Sequence, residues 1–302
     1  MLSVRFWGVR GSITCPGPDT VYYGGNTSCL EIRAGERLII VDMGTGLRPL
    51  GDWLMANDFK KYGHIEADIF VTHTHWDHVS GLPLFTPVFI PGTKLRITGP
   101  VSFEEVSFQS IIETQFLYRY WPVHHDELAA KIEYGQINET TLDLGEGLKV
   151  VSKFLNHPVA CLGYRFEYQG KSIVIVFDHE PYRNLFPADS SQSNYDEEAS
   201  EEGELAAAEE NEKIISFMRN ADIVIHDSQY TEDEYQQRRK GWGHASYDHA
   251  INAAIKANVK KLFLFHHDPS RTDEQLKQFE QAFREKFKID VYIAREGNLF
   301  SV

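Results

Sequence analysis

The chain has 302 residues, 42% of them hydrophobic and 13% aromatic, which is ample for the buried core of an α/β protein. No apolar run reaches transmembrane length, no basic–apolar–small leader opens the chain, and Cys15, Cys29 and Cys161 are odd in number without a C-x-x-C pair, so a cytoplasmic protein with free thiols and no membrane contact is expected. The formal charge of −14 argues against a large nucleic-acid partner, because a surface built to grip a phosphate backbone is normally basic.

Residues 2–7 read as a strand ending in Gly8-Val9-Arg10-Gly11-Ser12, and Pro16-Gly17-Pro18 and Gly24-Gly25 mark turns. Residues 30–33 and 38–41 read as a hairpin whose second strand runs into Asp42-Met43-Gly44-Thr45-Gly46, ahead of a helix over 47–57. Asp42 either steadies a nearby histidine or caps that helix. The apolar Ile69-Phe70-Val71 then opens onto Thr72-His73-Thr74-His75-Trp76-Asp77-His78. At the end of a strand His73 and His75, two apart, point to the same side, and Asp77 and His78 form a second pair at the turn. Imidazole nitrogen and carboxylate oxygen suit a Zn²⁺-like ion, and two offset pairs suit two ions about 3.5–4 Å apart. The bland alternative is a polar loop, which fits one histidine better than three beside an aspartate.

Residues 81–89 read as a short helix and 94–98 as a strand. Aromatic side chains crowd 101–145 (Phe103, Phe108, Phe116, Tyr118, Tyr120, Trp121), a local core in preference to a lid over the site. Strands follow over 148–155, 163–168 and 172–177. Between about 188 and 210 the composition turns to Ser, Glu and Ala, and nine acidic residues with no basic one lie between Asp196 and Glu212. This acidic low-complexity insert reads as a mobile loop leading into a helix and receives no chemistry. Strand 222–226, helix 246–257, strand 261–265, helix 272–286 and strand 289–293 then alternate. Early strands, late alternation and no repeat or linker predict one domain over 1–302, with two sheets packed face to face and helices outside.

A two-ion site requires further ligands, and the candidates stand at ends of predicted strands. His157 precedes Pro158; Asp178 follows five apolar residues, Ile173 to Phe177; His266 ends Leu262-Phe263-Leu264-Phe265. A carboxylate at the end of a buried strand is costly without a cation. His157 would complete one ion with His73 and His75, His266 the other with Asp77 and His78, and Asp178 would bridge the two. Each taken alone could instead be a hydrogen-bonded structural residue. His179 and His267 rank lower, because strand register favours the first polar residue after the apolar run. The strand ending His226-Asp227-Ser228 and the loop Gly241-Trp242-Gly243-His244 suggest an acid, His244, held protonated by Asp227, with a helix-capping loop as the alternative.

The ordered series His73, His75, Asp77, His78, His157, Asp178 and His266 resembles the metallo-β-lactamase fold superfamily across nearly the whole chain. The resemblance implies an α/β protein of αββα sandwich form with a dinuclear centre between the sheets, and bridging by Asp178 is unlike the cysteine common in hydrolytic β-lactamases. Phe6-Trp7-Gly8-Val9-Arg10-Gly11-Ser12, Tyr23-Gly24-Gly25-Asn26-Thr27-Ser28, His226-Asp227 and Gly243-His244-Ala245-Ser246 are similar to the phosphodiesterase branch that includes RNase Z and cyclic-nucleotide phosphodiesterases. That likeness implies His244 as general acid steadied by Asp227, Asp77 at the catalytic centre, two divalent ions (Zn²⁺ first, Mn²⁺ second) and a homodimer. Without the basic, Gly/Pro-rich arm of RNase Z, the expected substrate is a small cyclic nucleotide or related diester, attacked by a hydroxide shared by the two ions. Backbone amides of 8–12 or 26–28 are candidates to hold it. A tRNA 3′-end endonuclease, a non-catalytic nucleotide-binding metalloprotein, and a thioester or lactone hydrolase are the competing readings.

Overall fold

The computed structural model describes residues 1–102, 106–187 and 191–302. Strands β1 (Leu2–Gly8), β2 (Cys29–Ala34), β3 (Arg37–Val41), β4 (Glu66–Phe70), β5 (Lys94–Pro100) and β6 (Lys131–Ile137) form one sheet. Strands β7 (Thr141–Asp143), β8 (Leu148–Phe154), β9 (Leu162–Tyr168), β10 (Lys171–Val176), β11 (Ile223–Asp227), β12 (Lys261–Phe265) and β13 (Asp290–Ile293) form the other, and β14 (Leu299–Ser301) returns to the edge of the first beside β1. Among the described residues each sheet therefore has seven strands. Hairpin-linked strands make one half of each sheet antiparallel, while β3 to β6 and β10 to β13 run parallel.

Sequence alternation explains why two sheets stack with helices outside. Ile173 and Ile175 of β10 enter the core between the sheets with Phe6, Phe70, Phe166 and Phe263, whereas Val174 and Val176 face the outer layer with Ile214, Met218, Tyr247 and Ile251. On the first sheet Ile39 and Val41 enter the central core and Leu38 and Ile40 the opposite outer layer, with Leu47, Leu50 and Phe85. A strand covered on both faces reads as an unbroken apolar run, and its period of two then divides it between two cores. The expected αββα sandwich is the observed architecture.

Several elements differ from expectation. The helix expected over 47–57 is α-helical over Leu47–Leu54 and widens to a π-type turn over Met55–Phe59. The 81–89 segment forms two 3₁₀ turns, each with proline in its first turn, because proline there removes an amide donor and disfavours a continuing helix. In 101–145, Phe108 and Phe116 join the outer core while Tyr118 and Tyr120 are exposed, and β6 and β7 were not anticipated; Phe103 lies outside the described residues. The acidic insert is helical from Glu197 to Met218, capped by Asp196, whose carboxylate accepts from the Ala199 amide; residues 188–190 lie outside the described residues.

Candidate active site

The parallel halves of the sheets bring their C-terminal strand ends to one edge, the place where α/β sheets carry ligand sites. Asp42 follows β3, the His73–His78 segment follows β4, Asp178 follows β10, Asp227 ends β11 and His266 follows β12. Asp42, Asp178 and His266 have φ of +61°, +45° and +63°, left-handed for residues with a Cβ. Such conformations cost about 1–3 kcal/mol each and persist where the surroundings fix them. Here they turn each side chain out of strand alternation and toward the same point.

Two groups of donors result. His73, His75, His157 and Asp178 form the first, and Asp77, His78, Asp178 and His266 the second, each with its ligand atoms within 4.8 Å of one another. In the first, His75 Nδ1 is 3.0 Å from His73 Nε2 and 3.1 Å from His157 Nε2, and Asp178 Oδ2 is 3.4 Å from His73 Nε2. In the second, Asp178 Oδ1 is 3.3 Å from both His78 Nε2 and His266 Nε2, and Asp77 Oδ2 is 3.1 Å from His266 Nε2. The two oxygens of one carboxylate thus face two different groups.

Surrounding bonds decide which nitrogen each ring presents. Asp42 Oδ2 accepts from His78 Nδ1 at 2.7 Å and is itself held by the Thr72 hydroxyl, while Asp42 Oδ1 accepts from the Thr72 amide. The Gly243 carbonyl accepts from His157 Nδ1 at 3.0 Å. Nε2 of both histidines therefore faces the group, the arrangement that orients metal-binding histidines. The Ser12 amide donates to Asp77 Oδ2 at 2.7 Å, fixing that carboxylate.

These residues fit a pair of divalent cations. Asp178 Oδ1 is buried without a hydrogen-bond donor although it lies among imidazoles, a costly state that a cation relieves. Burial holds the His73 ring well below its usual pKa and His157 down to about 4, so both offer neutral nitrogen. Burial opposes ionisation of Asp178, but His266, His78 and His73 outweigh it and keep the carboxyl well below its usual range. His78 is driven up in spite of burial by Asp178, Asp77 and Asp42, a field that equally attracts a metal ion.

His244 stands beside the groups rather than inside either, its ring stacked on His266 at 4.9 Å between centroids. Its Nδ1 donates to Asp227 Oδ2 at 3.0 Å and lies 4.0 Å from Asp178 Oδ2. Burial pulls its pKa down, yet Asp227 and then Asp178 outweigh that and raise it to about 9. His244, Asp227 and His266 also bring their polar atoms within 4.8 Å of one another. His179 and His267 lie outside all three groups: His179 Nδ1 accepts from the Asn156 amide and His267 Nε2 donates to the Ala294 carbonyl.

Some of the arrangement was not legible beforehand. The amides of 8–12 and 26–28 named as candidate ligand donors are largely occupied within the protein: Val9 and Arg10 donate to the Asn26 carbonyl, Gly11 to His267, Ser12 to Asp77, Asn26 to Glu296 and Thr27 to Thr45. The His244 loop is tied down rather than loose, because the buried Glu180 carboxylate accepts from the amides of Gly241 and Gly243 at 2.7 and 2.9 Å and from Tyr235. Glu180 and Thr72 carried no signal beyond lying next to singled-out residues. Gly243 carried one, since its φ of +84° and its approach to His157 demand glycine.

Residues 22–267 match the family model of the metallo-beta-lactamase superfamily. Ribonuclease Z of Limosilactobacillus reuteri is 27% identical over 222 residues, covering 66% of this chain and 69% of that protein. Among solved structures, the metallo-beta-lactamase fold protein YhfI from Bacillus subtilis superposes with a TM-score of 0.66 at 18% identity over 100% of both chains, and the short form of human tRNase Z with 0.62 at 19% over 99% of both. The expectation that charge disfavours a large nucleic-acid partner is corrected by these relatives, which include ribonucleases. Net charge is a sum over the whole surface, and the acidic residues of Asp196 to Glu212 dominate it here, whereas substrate answers to the field at the site. Among the described residues no helix is long and apolar enough to cross a membrane. With the αββα fold, the donor groups at the shared strand edge and a family match over 22–267, the chain belongs to the metallo-beta-lactamase superfamily.

Proposed function

We propose that the protein is a metal-dependent phosphodiesterase of the RNase Z kind, an endonuclease cleaving near the 3′ end of tRNA. The observation that carries the chemistry is the split contact of Asp178, one oxygen toward His73 and the other toward His78 and His266, with the His244 imidazole bonded to Asp227 alongside. In this reading His73, His75 and His157 would hold one ion and Asp77, His78 and His266 the other, with Asp178 available to both. Zn²⁺ suits the mixed nitrogen and oxygen donors best, with Mn²⁺ also accommodated. When bound, such ions lower the pKa of water and neutralise charge on phosphoryl oxygens.

The chain's own residues supply the rest. Asp227 accepts the Nδ1 proton of His244, which leaves Nε2–H as the donor to the departing ribose oxygen. Asp77 is fixed by the Ser12 amide, so its carboxylate keeps one orientation while the substrate enters. Asp42 keeps His78 facing the site through a bond shared with Thr72. The named relative, Ribonuclease Z, supports RNA as substrate. A small cyclic phosphodiester is the second reading, because the donor groups and the His244–Asp227 pair would act on one phosphodiester whatever chain carries it.

Metal analysis together with turnover of a substrate panel tests both. The panel holds 3′-extended tRNA, 2′,3′- and 3′,5′-cyclic nucleotides and bis(p-nitrophenyl) phosphate, with Zn²⁺ or Mn²⁺ added. Two metals per chain with cleavage of the tRNA is the expected result. Turnover of a cyclic nucleotide alone selects the second reading, and a fully metallated protein that cleaves no phosphodiester defeats both.

A further inference from the structure

His244 begins a chain of ring contacts that leads outward to the surface. Tyr230, buried at 3% exposure, meets His244 edge to face at 6.0 Å between centroids. The Arg239 guanidinium lies 5.5 Å from the Tyr230 ring and 4.4 Å from the ring of Trp242. Trp242 is 56% exposed, so the stack ends in an indole with solvent over much of its surface. An exposed tryptophan alone means little. This one is braced by a planar cation, two residues from the candidate acid, in a loop whose flanking glycine amides are gripped by buried Glu180. Arg238, Arg239 and Lys240 form the run of three consecutive cations in a chain of charge −14, and Arg238 and Lys240 are exposed.

We infer that Trp242, backed by Arg239, is a nucleobase-stacking shelf for the leaving-group side of the substrate, with Arg238 and Lys240 beside it for a neighbouring phosphate. The inference rests on the phosphodiesterase reading above, since His244 identifies the leaving side only if it protonates the departing oxygen. Every nucleobase offers a π face, so an indole braced by guanidinium accepts any base. The cations add attraction for phosphate without reading sequence. Rigidity matters: Glu180 holds the amides of both glycines, and Gly243 returns its carbonyl to His157 Nδ1, so shelf and metal-ligand candidates share one loop. A base placed on Trp242 therefore enters at a fixed offset from His244.

The test combines kinetics with a binding measurement that needs no turnover. In metal-loaded protein, Trp242→Ala should raise KM for a short RNA about 5- to 150-fold, the usual loss per stacked base, and raise KM for bis(p-nitrophenyl) phosphate far less. Trp242→Phe should restore most of the RNA affinity. Arg239→Ala should move in the same direction as Trp242→Ala. Separately, adenosine monophosphate should quench tryptophan fluorescence in the parent and in Trp76→Phe, while Trp242→Phe loses the quench and keeps the affinity. Equal KM changes for both substrates, or quenching that survives in Trp242→Phe, overturns the shelf. If the parent cleaves no phosphodiester, the underlying reading falls, and the quenching result still decides whether Trp242 takes a base.

Discussion

The Asp227 carboxylate sets what His244 can do. Buried imidazole prefers to be neutral, yet contact with Asp227 and proximity to Asp178 raise the pKa to about 9, so the acid form prevails at neutral pH. A general acid works only while protonated, so kcat/KM should decline as pH rises through about 9. Asp227→Asn removes the main raising influence and should move that alkaline limb down by at least about one pH unit, which a pH–rate profile reads directly; an unmoved limb would assign it to another group. His244→Ala should lower turnover about 10²- to 10⁴-fold while two metals per chain remain. Loss of metal in that variant would make His244 a ligand instead of an acid. Asp42→Asn keeps a residue tolerant of the +61° φ but removes the charge behind His78, and should weaken metal affinity about 10- to 100-fold in a chelator competition. Unchanged affinity would reduce Asp42 to a backbone cap.

At the level of elements, the loop from Gly241 to His244 joins the two functional halves of the site. Gly243 has φ of +84°, and a Cβ there would stand 2.4 Å from His157 Nδ1. Gly243→Ala should therefore cost about 1–3 kcal/mol in a denaturant melt and displace His157, taking metal content from two toward one per chain. Two metals retained at parental stability would show that the loop yields. The loop was visible in the sequence as glycines around a histidine, but its anchoring was not. Glu180 reaches it across 61 residues of chain to Gly241, a contact no local pattern encodes. Strands were legible for a related reason. Ile173-Val174-Ile175-Val176 is apolar at every position because both faces are covered, and Asp178 shows itself by ending that run. β6 and β7 do alternate polar with apolar residues, in Lys131-Ile132-Glu133-Tyr134 and Thr141-Leu142-Asp143, but the runs are short and their apolar side chains are only partly buried.

For the whole molecule, binding at the strand edge should couple to stability. Carboxylates and imidazoles from both sheets converge there, from β4 on one side and β10 and β12 on the other, so an ion bound among them ties the sheets together. A ligand at a hundred times its Kd stabilises by about 2.7 kcal/mol. Chelation of loaded protein should lower the melting temperature by roughly 4 °C for each ion removed, and readdition of Zn²⁺ should restore it. A melting temperature indifferent to metal would place the ions outside the folded core.

The sequence by itself determined the donor types, their order and their places at strand ends, because burial on both faces leaves each strand only its terminus for a polar side chain. It also ranked His266 above His267 and Asp178 above His179 by register, and the donor groups contain the first of each pair. Only the tertiary structure decided that Asp178 divides its oxygens between two groups, that Asp42 turns to His78, that Ser12 fixes Asp77 and that Glu180 holds the His244 loop. Those contacts depend on left-handed backbone turns and on the C-terminal strand ends of two stacked sheets coming to one edge. Their energies arise between residues that are distant in the chain, where periodicity and spacing carry no information.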